Sequence, residues 1–272
     1  MFSIPYGEHS PRVTLLQILL NSHDCSGANG RRLVVDGCYG RNTAAAVSAA
    51  NRLLSVAATA DDSASASVVR RLIADVDLDV IASVDFGDPT IQIDIDSLTR
   101  DGNNPIALGG MCNGLQQMVG SVLSRGRSGR VASLLFDGHG NLGRWLTISV
   151  GSVAHLPAGE YRDIEMEVLS YISSSNFSLV SGVIAPLGRL FARFGFAEHH
   201  GCSLGSRRET RAMLKKLADL WGVPVRVGVR KQMMGTMNIA GPDFTAFPRS
   251  MSLRTWSEQF QHLDLPCMSQ AW

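Results

Sequence analysis

The sequence predicts an α/β fold in two parts: a small all-helical N-terminal unit, then a larger unit built on a mostly parallel sheet flanked by helices. Helical apolar spacing dominates up to residue 54. Residues 56–67 are then almost devoid of core-forming side chains, eleven of the twelve being Ala, Ser, Thr or Asp. Beyond them, short apolar runs of strand length alternate with amphipathic stretches of helix length, the pattern of a sheet covered by helices. The expected organisation is therefore residues 1–57 as a helical domain, 58–68 as a linker and 69–272 as an α/β domain.

In the first unit Val13, Leu16 and Leu20, with Gln17 and Asn21, fit one amphipathic helix. A loop rich in Gly, Asn and Asp runs from Asp24 to Gly30. A second helix is expected near Thr43, capped by Asn42 or Thr43, with Ala46, Val47, Ala50, Leu53 and Leu54 on its apolar face. In the second unit Ile91–Ile95 alternates with period two, as a half-buried strand does. Asn113–Leu123 has helical spacing through Leu115, Met118, Val119 and Val122. Val131–Phe136 is an apolar strand that runs into Asp137-Gly138-His139-Gly140. Residues from Leu187 to Phe196 read as a helix passing into a strand that ends at His200-Gly201-Cys202. Ser206–Trp221 is a strongly amphipathic helix, and Val223–Val229 is the next strand.

Composition removes several classes of function. The chain has 272 residues, is 45% hydrophobic, and balances 25 basic against 24 acidic side chains. That balance gives no reason to expect a nucleic-acid partner. No apolar run reaches the about 18 residues needed to span a bilayer. The start, from Met1 to His9, lacks a basic region followed by an apolar core, so no Sec-type signal peptide is expected. The five cysteines are an odd and scattered set, unlike a disulfide framework. His9, His23 and His262 are expected to be solvated, and Arg207-Arg208 with Lys215-Lys216 to form an exposed helix face.

Val13-x-x-Leu16-Gln17-x-x-Leu20-Asn21, followed by Val35-Asp36-Gly37-Cys38-Tyr39-Gly40-Arg41-Asn42-Thr43-x-x-Ala46-Val47, resembles the three-helix peptidoglycan-binding domain of bacteria. That family carries V-x-x-L-Q-x-x-L and V-D-G-x-F/Y-G-x-x-T-x-x-A-V in this order and spacing. The match covers about 45 residues. Gly37 and Gly40 suit a tight turn, Asp36 can accept from turn amides, and Tyr39 is an aromatic anchor. The resemblance implies a wall-glycan site at Asp36, Gly37, Tyr39, Gly40 and Thr43. The family continues A-V-x-x-F-Q, where this chain has Ser48-Ala49-Ala50-Asn51.

In an open parallel sheet, reactive groups gather beyond the carboxyl ends of strands. His139 and Cys202 each follow a predicted strand, and each lies among glycines. Cys202 also precedes the helix expected from Ser206, whose amides would favour thiolate. The amides of Gly140 and Cys202 are placed to hold a developing oxyanion. Asp137 and Glu198 offer carboxylates for a cationic substrate group. Arg230 and Lys231, in the loop after the next strand, offer charge for an acidic one, and the latter is slightly favoured.

The run Phe136-Asp137-Gly138-His139-Gly140-Asn141-Leu142-Gly143, with Gly201-Cys202-Ser203-Leu204-Gly205, a helix containing Leu217-Ala218, and Gly222-Val223-Pro224-Val225, resembles the caspase-like fold of clan CD cysteine peptidases. Caspases, gingipains and separase share an apolar strand ending in H-G, then a strand ending in the catalytic Cys, then helix and strand. The resemblance covers roughly residues 90–235. It implies His139 as general acid/base and Cys202 as nucleophile, with no metal or cofactor. Glu198, His199 and His200 depart from the usual apolar strand before the nucleophile.

Together the two resemblances imply a cysteine hydrolase targeted to the bacterial cell wall. Its bond would be an amide in a peptidoglycan stem or in a wall-associated protein, and it would be secreted or delivered to the periplasm. An antibacterial effector of type VI secretion is one such setting, with a secretion apparatus and an immunity protein as further partners. A non-catalytic wall-binding or interaction protein with a degenerate caspase-like scaffold is the competing class. A second alternative is a class I glutamine amidotransferase, because Gly110-Met111-Cys112-Asn113-Gly114-Leu115-Gln116 fits G-x-C-x-G-x-Q. A metal site of His139, His199, His200 and Glu198 is weaker, since adjacent strand residues point opposite ways.

Overall fold

The computed structural model describes residues 1–85, 92–100, 102–108, 114–140, 145–148, 168–232 and 238–268. The chain divides into two compact units, and the division does not follow the sequence order. The first comprises Met1–Asp79, Arg193–Gly195 and Met251–Trp272; the second comprises Val80–Ala192 and Phe196–Ser250.

The first unit is organised around α1 (Pro11–Ser22), all twelve residues of which are buried. Pro11 suits the first turn, where its missing N–H costs no helical hydrogen bond. The apolar spacing predicted a helix with one wet face. Instead α2 (Arg41–Leu53), α3 (Ala66–Asp75) and α8 (Leu253–Glu258) all pack against it. Even Arg12 is inside, its guanidinium 4.3 Å from the centre of the Phe2 ring. α2 begins at Arg41 with Gly40 as its N-cap, so neither Asn42 nor Thr43 caps it.

The stretch expected to be a linker belongs to this unit. Ile4 and Ala64 exchange two backbone hydrogen bonds of 2.9 Å. Ser65 caps α3 by accepting from the Val68 amide, and Val68, Val69, Leu72 and Ile73 give α3 one buried face. Small polar residues thus supply a helix start, and a third helix covers flanks of α1 that two cannot. The C-terminal segment returns to the same core: Trp256 and Phe260 pack edge to face at 5.2 Å, and Thr14 and Ser257 share a 2.7 Å hydroxyl bond.

The second unit holds a six-stranded sheet ordered β2-β1-β3-β6-β7-β8. Its strands are β1 (Asp79–Asp85), β2 (Ile106–Leu108), β3 (Val131–Asp137), β6 (Phe191–His199), β7 (Val225–Gly228) and β8 (Asp243–Ala246). The β1–β2, β3–β6 and β6–β7 pairs are parallel, while β8 runs antiparallel to β7. A separate antiparallel pair joins β4 (Trp145–Thr147) to β5 (Tyr171–Ser173). The mixed α/β class and mostly parallel sheet agree with the sequence reading. Leu134 and Phe136 of β3 share one apolar core with Met118 and Val122 of α5 (Gly114–Arg125), Ile184 of α6 (Phe177–Ile184) and Leu214, Leu217 and Trp221 of α7 (Arg208–Trp221). The Trp221 indole N–H donates to the Ile184 carbonyl at 2.9 Å, which lets a polar atom sit in that core.

One expected strand is a helix. Residues 92–95 lie in α4 (Gln92–Arg100), where Asp94, Ser97 and Leu98 are buried and Ile93 is exposed. Burial at that spacing follows a helical turn, and a five-residue alternation is too short to exclude it. The sheet is completed by β1, whose run Asp79–Asp85 the sequence reading had not separated from its surroundings.

Candidate functional site

Register brings three strand exits together. Phe136 of β3 pairs with His199 of β6, which pairs with Val227 of β7. His139, Cys202 and Arg230 each lie three residues beyond that row. All three strands are parallel there, so their following loops leave the same edge of the sheet.

The His139 and Cys202 loops touch through backbone. A Cβ on Gly140 would overlap the Cys202 carbonyl oxygen and stand 2.6 Å from its amide nitrogen. Only a residue without a side chain permits that approach. Both His139 and Cys202 are half-buried, as groups must be to meet a substrate.

Two side chains hold these loops: Thr147, which no sequence pattern marks, and His199, weighed from the sequence only as a metal ligand. Thr147 donates to the His139 carbonyl from its hydroxyl at 2.8 Å and from its amide at 3.2 Å. His199, fully buried, accepts at Nδ1 from the Gly201 amide at 2.9 Å and presents Nε2 to the Thr147 carbonyl at 3.3 Å. A carbonyl only accepts and an amide only donates, so the proton is on Nε2. Burial, with His200 as a minor contributor, pushes the His199 pKa down to about 3, which keeps the ring neutral. The chain Gly201–His199–Thr147–His139 therefore ties one loop to the other. With both nitrogens engaged, His199 is not available to ligate a metal together with His139.

The loop after β7 closes the other side of Cys202. The Ser203 amide donates to the Arg230 carbonyl at 2.9 Å, and the Cys202 thiol lies 3.9 Å from the Gln232 carbonyl oxygen. The Gln232 side chain braces that loop, donating to the Arg230 carbonyl and accepting from the Ala240 amide, both at 2.8 Å. Arg230 and Lys231 are exposed beside this loop. α7 begins at Arg208, so its first turn is not adjacent to Cys202; a short 3-10 turn, Leu204–Ser206, intervenes.

Asp137 and Glu198 are not surface carboxylates. Glu198 is buried and accepts from Arg226 at 3.2 Å, while Arg226 donates from Nε to Asp243 at 2.5 Å and His200 lies 3.5 Å from the other Glu198 oxygen. The β6–β7 register sets Glu198 opposite Arg226, so the pair links two strands. Asp137 is buried near Asp94 and Asp85, and desolvation, reinforced by those carboxylates, pushes its pKa up to about 8. A folded-state pKa above the unfolded value means the native state binds more protons between the two. Stability should then fall as pH rises from about 4 to about 8. Asp137→Asn is expected to flatten this part of the curve, read from urea midpoints at pH 5 and pH 8. An unchanged slope in the variant would place the titration elsewhere.

The first unit carries a second feature. A cavity of about 320 Å³ is lined by the motif residues Asp36, Gly40 and Thr43 and by Asn29, Arg41 and Asn42. Gln17 builds its floor: its carbonyl oxygen accepts from the Asp36 and Gly37 amides at 3.0 and 2.9 Å, and its amide donates to Asp36 at 2.8 Å. Gly37 has φ +73°, and a Cβ there would meet Leu253 of α8 at 2.7 Å. Tyr39 is in the core rather than the cavity, donating to the Asp62 carbonyl at 2.8 Å; burial raises its pKa. His23, expected to be solvated, is also buried. Cys112 lies outside the described residues.

No helix among the described residues is long and apolar enough to cross a membrane. No known protein family, curated protein or solved structure matches the chain.

Proposed function

We propose that the protein is a cysteine hydrolase directed to the bacterial cell wall, with Cys202 as nucleophile and His139 as general acid/base. The observation that carries this reading is the seating of Gly140 on the Cys202 backbone, which sets the two residues in adjoining loops at one sheet edge. The order strand–His-Gly, strand–Cys, helix α7, strand β7 is also what the resemblance to caspase-like enzymes requires.

In this mechanism the Cys202 thiol gives its proton to the His139 imidazole and its sulfur attacks the amide carbonyl carbon. The oxyanion is held by the amides of Gly140 and Cys202. Imidazolium then protonates the departing amine, leaving a thioester. Water, deprotonated by His139, attacks that thioester, releases the carboxylic acid and restores the thiol.

Substrate choice follows from which charges face outward. Glu198 is engaged by Arg226, and Asp137 keeps its proton near neutral pH, so neither suits a cationic group. Arg230 and Lys231 lie exposed beside the nucleophile's loop, which favours an acidic substrate group such as the D-glutamate of a wall stem peptide. The polar cavity at Asp36, Gly40 and Thr43 would hold the wall itself and raise the local substrate concentration. Such an enzyme would act in the periplasm or at the wall. The effector setting adds a secretion apparatus and an immunity protein as partners. The test is digestion of purified sacculi and of a protein library side by side. New amino and carboxyl termini in the sacculi support the proposal; no cleavage of either substrate removes it.

A further inference from the structure

We propose that His23, Asp75 and Cys267 form a zinc site in the first unit. They come from the end of α1, the end of α3 and the C-terminal segment. Their ligating atoms all lie within 4.8 Å of one another, and His23 and Cys267 are buried. One nitrogen, one carboxylate oxygen and one sulfur form a donor set that Zn2+ accepts, with water able to complete a tetrahedron.

The histidine geometry is the strongest argument. Its Nδ1 lies 2.8 Å from the Leu19 carbonyl, an atom that can only accept, so Nδ1 carries a proton. Its Nε2 then points at the Asp75 carboxylate, 2.9 Å away. In a neutral ring this would set one acceptor against another. A shared proton relieves this at the observed distance, and a metal ion bound by both atoms would relieve it with the two moved to about 3.3 Å apart. A ligating histidine fixed through its other nitrogen by a backbone carbonyl is the arrangement metal sites use.

The buried Cys267 thiol completes the donor set, its sulfur lying within 4.8 Å of the His23 and Asp75 ligating atoms. On binding, Zn2+ would release the thiol proton, and any proton on Nε2, to solvent. The ion would fasten the C-terminal segment to α1, where Cys267 already donates to the Ser22 carbonyl at 3.1 Å and the Leu265 amide to the Ser22 hydroxyl at 3.0 Å.

The experiment titrates metal-stripped full-length protein with Co2+ as a spectroscopic stand-in. One equivalent should produce tetrahedral d–d bands and a near-ultraviolet thiolate-to-cobalt band, both lost on adding Zn2+. Cys267→Ser should lose the thiolate band, and Asp75→Asn should weaken binding by about 10-fold or more. Cys25→Ser and Cys202→Ala should leave the spectrum unchanged. Absence of a 1:1 thiolate band in the wild type overturns the proposal without needing any variant to fold. So does a band that survives in folded Cys267→Ser.

Discussion

Alanine at Cys202 and alanine at His139 are each expected to lower amide hydrolysis by a factor of about 10⁴ or more, equivalent to about 5 kcal/mol of lost transition-state stabilisation. Both residues lie past strand ends and are half-buried, so neither truncation opens a hole in the core. Their circular dichroism and melting curves should match the wild type. Because the two act as one unit, the double variant should be no worse than either single one. Gly140→Ala should join them by a different route. Its new methyl group would overlap the Cys202 carbonyl, so the loops must part and the two side chains lose their alignment. Steady-state rates on the cleaved wall substrate check all four proteins. Full activity in Gly140→Ala would show that the contact between the loops is not what brings the dyad together.

The second large effect is on stability. Arg226→Met is expected to cost about 3–5 kcal/mol, because it withdraws the guanidinium from a Glu198 carboxylate that is only 1% exposed. Asp243 loses its partner as well, at less cost because it is nearer solvent. If the penalty is an uncompensated buried charge, Glu198→Leu combined with Arg226→Met should recover most of it. Urea denaturation of the three proteins measures this. A double variant as unstable as Arg226→Met would mean that lost packing, rather than charge, sets the cost.

These pairings explain why some of the site was legible in the sequence and some was not. His139 and Cys202 were visible because each follows an apolar run and lies among glycines, signals local to a few residues. Glu198 and Arg226 are separated in the chain and meet only through strand register, so Glu198 read as a free ligand. Thr147, His199 and Gln232 act through one or two hydrogen bonds to backbone, which leave no pattern in composition or spacing.

The same limit governs the fold. α7 was legible because its apolar positions recur over many turns, and β3 because seven successive residues are buried. α1 was misread as amphipathic because its polar residues, Arg12, Gln17 and Asn21, are buried by distant partners such as the Phe2 ring, Asp36 and the Leu33 carbonyl. α3 was hidden by the alanine and serine around its start. α8 is only six residues long and is marked locally by little more than its Ser252 cap, while its Trp256 is buried within the first unit.

The motif over residues 35–43 was read as a binding surface, yet much of it builds the turn. Asp36 accepts from the Cys38 amide at 2.9 Å, Thr43 is buried beneath the same turn, and Tyr39 is in the core. Arg41 and Asn42, at the start of α2, line the cavity beside them.

The central claim is that His139 activates Cys202, and the most direct test is the rate at which each cysteine reacts with iodoacetamide, followed by mass spectrometry. Cys202 should react faster than Cys25, Cys38, Cys112 and Cys267, and His139→Ala should bring its rate down to that of an ordinary half-exposed thiol. If Cys112 reacts first, or if the Cys202 rate is the same in both proteins, the dyad is not at these strand ends.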